Sequence, residues 1–321
     1  MAARLISIDD TATRESLAPA ECSLVIGNFD GVHRGHRAIL GEAVEHARSS
    51  GLETGVLTFA PHPAGVVGRG APPLLTTLAQ RAELTGAIGV DHLYVRTFDA
   101  AFAAWEPEHF ARALVAEMLS ARFVVVGENI RFGAKRKGDL ALLRRLGPTL
   151  GFEVRVATVA GDERGPFSST RVREAIASGD VEEAARVLGR PHAATGVVVR
   201  GDQRGRTLQF PTANLDGVAE MLPSRGVYAV TVDREEGGEA GRRFVPLAGG
   251  VTNLGVRPTV DGTRLSIEAH LFDFAGDLYG ARLRLHWRHR LRDERKFGSL
   301  DELKAQIARD AADARDRLAQ T

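Results

Sequence analysis

Gly27-Asn28-Phe29-Asp30-Gly31-Val32-His33-Arg34-Gly35-His36 follows a short apolar run, Cys22-Ser23-Leu24-Val25-Ile26, and leads into a helical pattern over 38–49. The apolar run reads as a buried parallel strand. A strand, a glycine-bearing turn and a helix start are the usual geometry for holding phosphate at a helix N-terminus. The stretch is neither GxGxxG nor a P-loop. Instead it sets His33 and His36 on one face of a first helical turn. Paired imidazoles suit a site where negative charge builds on phosphorus. Two solvated histidines at a helix start are the alternative; the glycine turn and Asp30 beside them favour the phosphate site.

Working outward, short apolar runs at 53–59, 91–96, 121–127 and 152–159 alternate with helical patterns at 76–88, from Pro107 through Phe110, Leu114 and Met118, and at 140–150. Regular alternation predicts a parallel, Rossmann-like α/β sheet with helices on both faces, and ligands outside the carboxyl ends of its strands. The loops at those ends carry the remaining signals. Pro61 and Pro63 fix the backbone around His62, which taken alone is a rigid turn with a solvated histidine. In Gly127-Glu128-Asn129-Ile130-Arg131-Phe132-Gly133, Asn129 offers an amide for a nucleobase or ribose, and Arg131 a planar cation. Lys135-Arg136-Lys137 reads as a solvated loop. Phe167-Ser168-Ser169-Thr170-Arg171 precedes a helix running to Gly179; three hydroxyls at a helix start exceed what capping needs and suit an anion.

Gly189-Arg190-Pro191 breaks the pattern, and the expected domain boundary falls between 186 and 187. Beyond it, period-two runs at 194–200, 226–233, 243–250, 264–272 and 281–291 predict an antiparallel barrel, closed by a helix over 300–318. The loop 200–206, with Gly201 and Gly205, suits close backbone approach to phosphate. Pro211 keeps the next segment extended, so Thr212 and Asn214 point the same way, as hard oxygen donors for Mg²⁺ with a nucleotide or as an ordinary polar face. Glu268 stands opposite the apolar face of its strand, as a general base or as an exposed strand glutamate.

The bulk numbers narrow the class. A chain of 321 residues, 44% apolar and 26% charged, supports two cores. A net charge of +1 without a basic block argues against nucleic acid as the main partner. One cysteine permits no internal disulfide, and residues 1–10 carry no long apolar stretch, so the expected compartment is the cytoplasm, with no membrane partner.

GNFDGVHRGH at 27–36 resembles the first motif of the prokaryotic bifunctional FAD synthetases, which join an FMN adenylyltransferase to a riboflavin kinase. GENIRFG at 127–133 and FSSTR at 167–171 resemble later motifs of that first domain, with Ile130 where an aromatic is common and Phe167 in place of isoleucine. GRTLQFPTAN at 205–214 resembles the kinase signature, with Gln209 where glycine is usual, and the segments 222–228, 253–259, 273–280 and 291–297 are also similar to the family. The resemblance implies adenylyltransferase activity in 1–186 and kinase activity in 187–321. It implies ATP and phosphate contacts from Gly27, Phe29, Asp30, His33, His36, Asn129, Ser168, Ser169, Thr170 and Arg171. It implies kinase contacts from Gly201, Gly205, Arg206, Thr207, Pro211, Thr212 and Asn214, with Mg²⁺ near Thr212 and Asn214 and Glu268 as the base. Riboflavin, FMN, FAD and ATP are the implied ligands; the oligomeric state stays open. Two other readings remain: a riboflavin kinase with an inactive first half, and a non-catalytic flavin-binding protein.

Overall fold

The structure is a computed structural model that describes residues 2–17, 19–200, 210–237, 242–259 and 262–320. Of the expected site residues, Gly201, Gly205, Arg206 and Thr207 lie outside the described residues, as does Gln209. Packing divides the chain into two units, Met1–Ser168 and Ser169–Thr321.

The first unit is built on six parallel strands: β1 (Arg4–Ile8), β2 (Cys22–Ile26), β3 (Glu53–Ala60), β4 (His92–Thr97), β5 (Ala121–Val126) and β6 (Glu153–Val156). Their order is β1-β4-β3-β2-β5-β6. The chain runs one way from β2 to β3 and the other way from β5 to β6, so the crevice at the carboxyl ends of β2 and β5 is the topological switch point. The turn 27–36 and the loop 127–133 are the segments that leave those two ends.

Alternation along the strands fills two cores. Leu24, Leu57, Tyr94 and Val124 face the helices that carry Leu114 and Leu143, while Val25, Val56, Leu93 and Val125 face Leu40, Val44 and Ala82. Cys22 lies in the first core, where burial pushes its thiol up to about 12, so it stays protonated and inert. The helix expected at 76–88 is Leu78–Gly86, started by a capping box of Thr77 and Gln80. Pro107–His109 opens a helical turn that continues as a π-helix over Phe110–Met118, with the Leu119 N–H reaching back to Leu114 O. A two-strand hairpin, β7 (Gly161–Asp162) with β8 (Gly165–Pro166), follows β6.

The second unit is a closed barrel of β9 (His192–Val199), β10 (Ala213–Asp216), β11 (Gly226–Glu236), β12 (Arg243–Thr259), β13 (Gly262–Leu271) and β14 (Arg282–Arg292), in the order β10-β13-β12-β11-β14-β9. All its pairings are antiparallel. Val198, Leu215, Tyr228, Leu254, Ile267, Leu283 and Trp287 fill it. The helix Leu300–Ala319 covers Val227, Ala229, Val251 and Phe272 through Ala311 and Ala314, and Arg292 is held in a fork by Asp310. The helices Ser169–Ser178 and Val181–Leu188 also pack with this unit. Val181 joins the barrel core, Ser224 donates to Ile176 O at 3.2 Å, and His289 bonds Glu182 at 3.2 Å.

Candidate active sites

The turn after β2 is held under strain. Phe29, Gly31 and Val32 adopt φ of 50°, 87° and 41°, a region costly for a β-branched valine. A buried network keeps it there. Asp30 accepts from the N–H groups of Leu75 and Thr76 at 3.0 and 2.9 Å, from the Thr76 hydroxyl at 3.1 Å and from Arg81 Nη2 at 3.2 Å. The Asp30–Arg81 pair is only 5% exposed on each side. Arg81 Nη1 also donates to Thr58 Oγ1, whose own hydroxyl donates to Asn28 O. Asp30 thus ties the turn to the segment that leads into the helix Leu78–Gly86, with Arg81 of that helix holding its carboxylate.

His33 is the N-cap of the helix Arg34–Ser50, its Nδ1 accepting from the His36 N–H at 3.2 Å. The two rings stack at 3.6 Å between centroids, with Phe29 edge-on to His36 at 5.0 Å. A neutral His33 whose Nδ1 accepts carries its proton on Nε2, so that edge of the ring is a donor. Gly35 allows this close approach: a Cβ would stand 3.1 Å from both the His33 ring and the Phe167 carbonyl, and one of them would have to shift. With Arg34 lying 4.6 Å over the Phe167 ring, the structure brings the start of the FSSTR segment against the histidine turn.

Beside the turn lies a cavity of about 600 Å³ at the switch point. Its wall is aromatic, from Phe59, Phe98, Phe102, Trp105, Phe110 and Phe132. Gly27 and Asn28 border it, and Arg69, Arg131, Lys135 and Arg136 supply cations. Asn28 is hydrogen-bonded to His62, which follows the cis Ala60–Pro61 peptide and caps a short helix, so the His62 read as a solvated turn also lines the cavity. Ile130 is in the wall; Asn129 is exposed in the same loop and outside the lining.

In the second unit, Ser169 begins the helix Ser169–Ser178 and Thr170 is exposed in its first turn. Ser168, the last residue of the first unit, is half-buried just before it. Arg171 donates through Nε to Glu183 Oε1 at 2.9 Å, and Arg186 binds the same carboxylate at 2.7 Å. Burial works to raise the Glu183 carboxyl, but the two guanidiniums prevail and hold it below its ordinary range.

The barrel holds the second cavity, about 540 Å³, lined by Pro211, Thr212, Ala213 and Asn214 and by the loop Phe274, Asp277 and Tyr279. Asn214 stands directly opposite Glu268, which stands opposite Asn253. Directly paired antiparallel residues share a face, so the amide, the carboxylate and a second amide meet on one side while Ile267 and Ala269 enter the core. Glu268 is half-buried and accepts from Ser266 Oγ at 3.2 Å. His270 donates from Nδ1 to Pro211 O at 3.0 Å, which anchors the start of the Thr212–Asn214 segment.

Sequence reasoning did not single out Arg81, Thr58, Glu183 or Asn253. Buried arginines and cross-strand partners carry no local signature.

Comparison with known proteins agrees over most of the chain. The FAD synthetase family model matches residues 15–171 and the riboflavin kinase model residues 188–318. A protein described as bifunctional riboflavin kinase/FMN adenylyltransferase from Escherichia coli strain K12 is 43% identical over 303 residues, covering 94% of each chain. One so described from Bacillus subtilis strain 168 is 36% identical, covering 92% of each. A crystal structure described as a macrolide-efflux protein from Streptococcus pneumoniae superposes with a TM-score of 0.82 at 32% identity, over 95% of this chain and 97% of that one. Among the described residues here, no helix is long and apolar enough to cross a membrane. The chain belongs to the bifunctional riboflavin kinase/FMN adenylyltransferase family.

Proposed function

We propose that the chain makes FAD from riboflavin in two ATP-dependent steps. Residues 187–321 phosphorylate the ribityl 5′-hydroxyl of riboflavin, giving FMN and ADP. Residues 1–186 let an oxygen of the FMN phosphate attack the α-phosphorus of a second ATP, and the bond to pyrophosphate breaks, giving FAD. The observation that carries this reading is one cavity in each unit, each bordered by its own phosphate-handling motif. An aromatic cavity with cations at its border fits a flavin ring that ends in an anionic phosphate. ATP in the cytoplasm is the source of both phosphoryl and adenylyl groups.

In the first step Glu268 accepts the hydroxyl proton while Thr212 and Asn214, beside it in the barrel, hold the nucleotide. Pro211 keeps that segment extended, and Gly201, Gly205, Arg206 and Thr207 belong to the same nucleotide-binding stretch. Thr212 and Asn214 are hard oxygen donors lining the cavity with Asp277, and the described residues contain no cluster of His, Cys, Asp and Glu that would cage a metal alone. That donor set fits Mg²⁺ shared with nucleotide phosphates, where it would neutralise charge on the phosphates.

In the second step His33 and His36 stabilise charge at the α-phosphorus, with no protein nucleophile needed. Gly27, Phe29 and Asp30 shape the turn that presents them. Asn129 contacts the nucleotide, and Ser168, Ser169, Thr170 and Arg171 hold the triphosphate. Incubation of the protein with riboflavin and ATP, with Mg²⁺ or with EDTA, and chromatography of the products tests the reading. FMN and FAD with Mg²⁺ and neither with EDTA are expected. FMN alone supports a kinase with an inactive first half; bound flavin without turnover supports a flavin-binding protein.

A further inference from the structure

Beneath the aromatic wall of the first cavity lies a cation that no step above uses. Arg96, on β4, is 2% exposed. Its guanidinium sits 4.6 Å from the centroid of Phe102 and 5.6 Å from that of Trp105. Both rings line the cavity, and Arg96 does not. Its polar edge is held from the opposite side. Nη1 donates to Ile8 O at 3.1 Å and Nη2 to the Asp10 carboxylate, just past β1. The wall segment is fixed elsewhere too: Asp99 caps the short helix Ala100–Ala103 and accepts from the Phe102 N–H at 2.7 Å, and Trp105 O accepts from Ala134 N–H at 2.7 Å. These bonds set the main chain, while the rings rest on the cation.

A buried guanidinium needs its charge met, and Asp10 meets it. A desolvated cation against two rings is a stronger contact than an exposed one. The two rings, 5.0 Å apart between centroids and tilted 55° to each other, are held from behind as one fixed corner of the wall, which lowers the ordering cost when an aromatic ligand enters.

We propose that Arg96 is a positioning residue for the flavin, acting through Phe102 and Trp105, and that the N-terminal strand serves as its brace. The proposal rests on the reading that this cavity takes the flavin of the adenylyl transfer. It assigns Arg96 to flavin affinity and not to ATP.

The test is steady-state kinetics of FAD formation by the full chain carrying Arg96→Met, Arg96→Lys, Asp10→Asn or the cavity-wall change Phe59→Ala, with quenching of flavin fluorescence as a direct binding readout. Arg96→Met is expected to raise the KM for FMN about tenfold, the scale of one desolvated cation–ring contact, with the KM for ATP unchanged. Arg96→Lys, which restores a cation without the fork, is expected to recover part of that loss. Asp10 has a side chain 62% exposed and the amide oxygen of Asn can still accept from Nη2, so Asp10→Asn is the milder change. A smaller rise in the same direction is expected, with a thermal melt of each variant to separate loss of fold from loss of flavin affinity. An unchanged KM for FMN in Asp10→Asn and Arg96→Met, or KM values for FMN and ATP that rise together, would overturn the proposal. If Phe59→Ala leaves the KM for FMN unchanged, the cavity reading falls and this proposal with it. If Phe59→Ala raises it and Arg96→Met does not, Arg96 alone is wrongly assigned.

Discussion

His36 donates its main-chain N–H to Nδ1 of His33 at 3.2 Å, and the two imidazoles lie stacked with centroids 3.6 Å apart. One histidine therefore caps the helix and fixes its own tautomer, while the other lies against it. The two roles of His33 can be separated. Asn is as good an N-cap as any residue, so His33→Asn is expected to keep the melting temperature while FAD formation falls. His33→Ala is expected to lose about 1 kcal/mol of stability as well. His36→Ala is expected to lower FAD formation from FMN by roughly a hundredfold or more, the scale for one preorganised donor, with riboflavin phosphorylation intact. Equal loss of both activities would speak against a local role.

Asp30→Asn leaves the Arg81 guanidinium buried without its counter-charge. Breaking a buried pair costs about 3–5 kcal/mol, so chemical denaturation is expected to show a large loss of stability, and FAD formation is expected to fall with it. A variant as stable as the parent would mean the pair does not hold the turn.

Glu268→Gln keeps the shape of the side chain and removes the base. FMN formation is expected to drop by roughly a hundredfold to ten-thousandfold, while FAD formation from supplied FMN persists. An unchanged kinase rate would make Glu268 a polar strand residue beside Asn214 and nothing more.

A fragment starting at Ser169 is expected to fold and to phosphorylate riboflavin, since Thr212, Asn214 and Glu268 lie within it. One starting at Val187 loses Val181, which is fully buried in the core with Tyr228 and Trp287. It is expected to be less stable by roughly 1.5–3 kcal/mol for that side chain alone. Equal melting of the two fragments would show that the helix pair adds nothing to the barrel.

Burial lowers the His286 pKa from its ordinary 6.5, against the opposing pull of Asp233 at 2.8 Å and with help from Arg284 and Arg288. The unfolded chain then binds this proton more readily than the folded one. The associated stability is present above the unfolded value and is lost as pH falls through the folded one. Acidification from about pH 7.5 to about pH 5.5 is expected to lower the barrel's melting temperature more in the parent than in His286→Gln. Parallel curves would remove His286 from the account.

What the sequence made legible follows from range. The buried runs of β2 and β5 and the turn 27–36 are local patterns, and the parallel sheet followed from them. β1 was missed because Arg4-Leu5-Ile6-Ser7-Ile8 is short and mostly exposed. β12 runs past the expected 250 to Thr259, because Asn253, Gly255 and Pro258 interrupt the local strand pattern yet lie in a ladder with β13. Phe110, Leu114 and Met118 fit α and π spacing alike, so only main-chain bonding tells them apart. Asn214 and Glu268 were each visible, but their direct pairing depends on register between strands far apart in sequence. Arg81 and Arg96 were not singled out, because burial through a partner leaves no mark on local composition.

The seam that closes the barrel joins β9 to β14, pairing His192 with Trp287. The first unit has all six of its parallel strands once Val156 has been synthesised. The second cannot close until β14 is made, since its ladder with β9 spans Arg282 to Trp287. During synthesis the adenylyltransferase half is free to fold while the nascent barrel still shows two unpaired edges, along β9 and β11, the kind of surface that recruits other chains. A chain truncated before Arg282 therefore carries an open, aggregation-prone half-barrel behind a completed first unit.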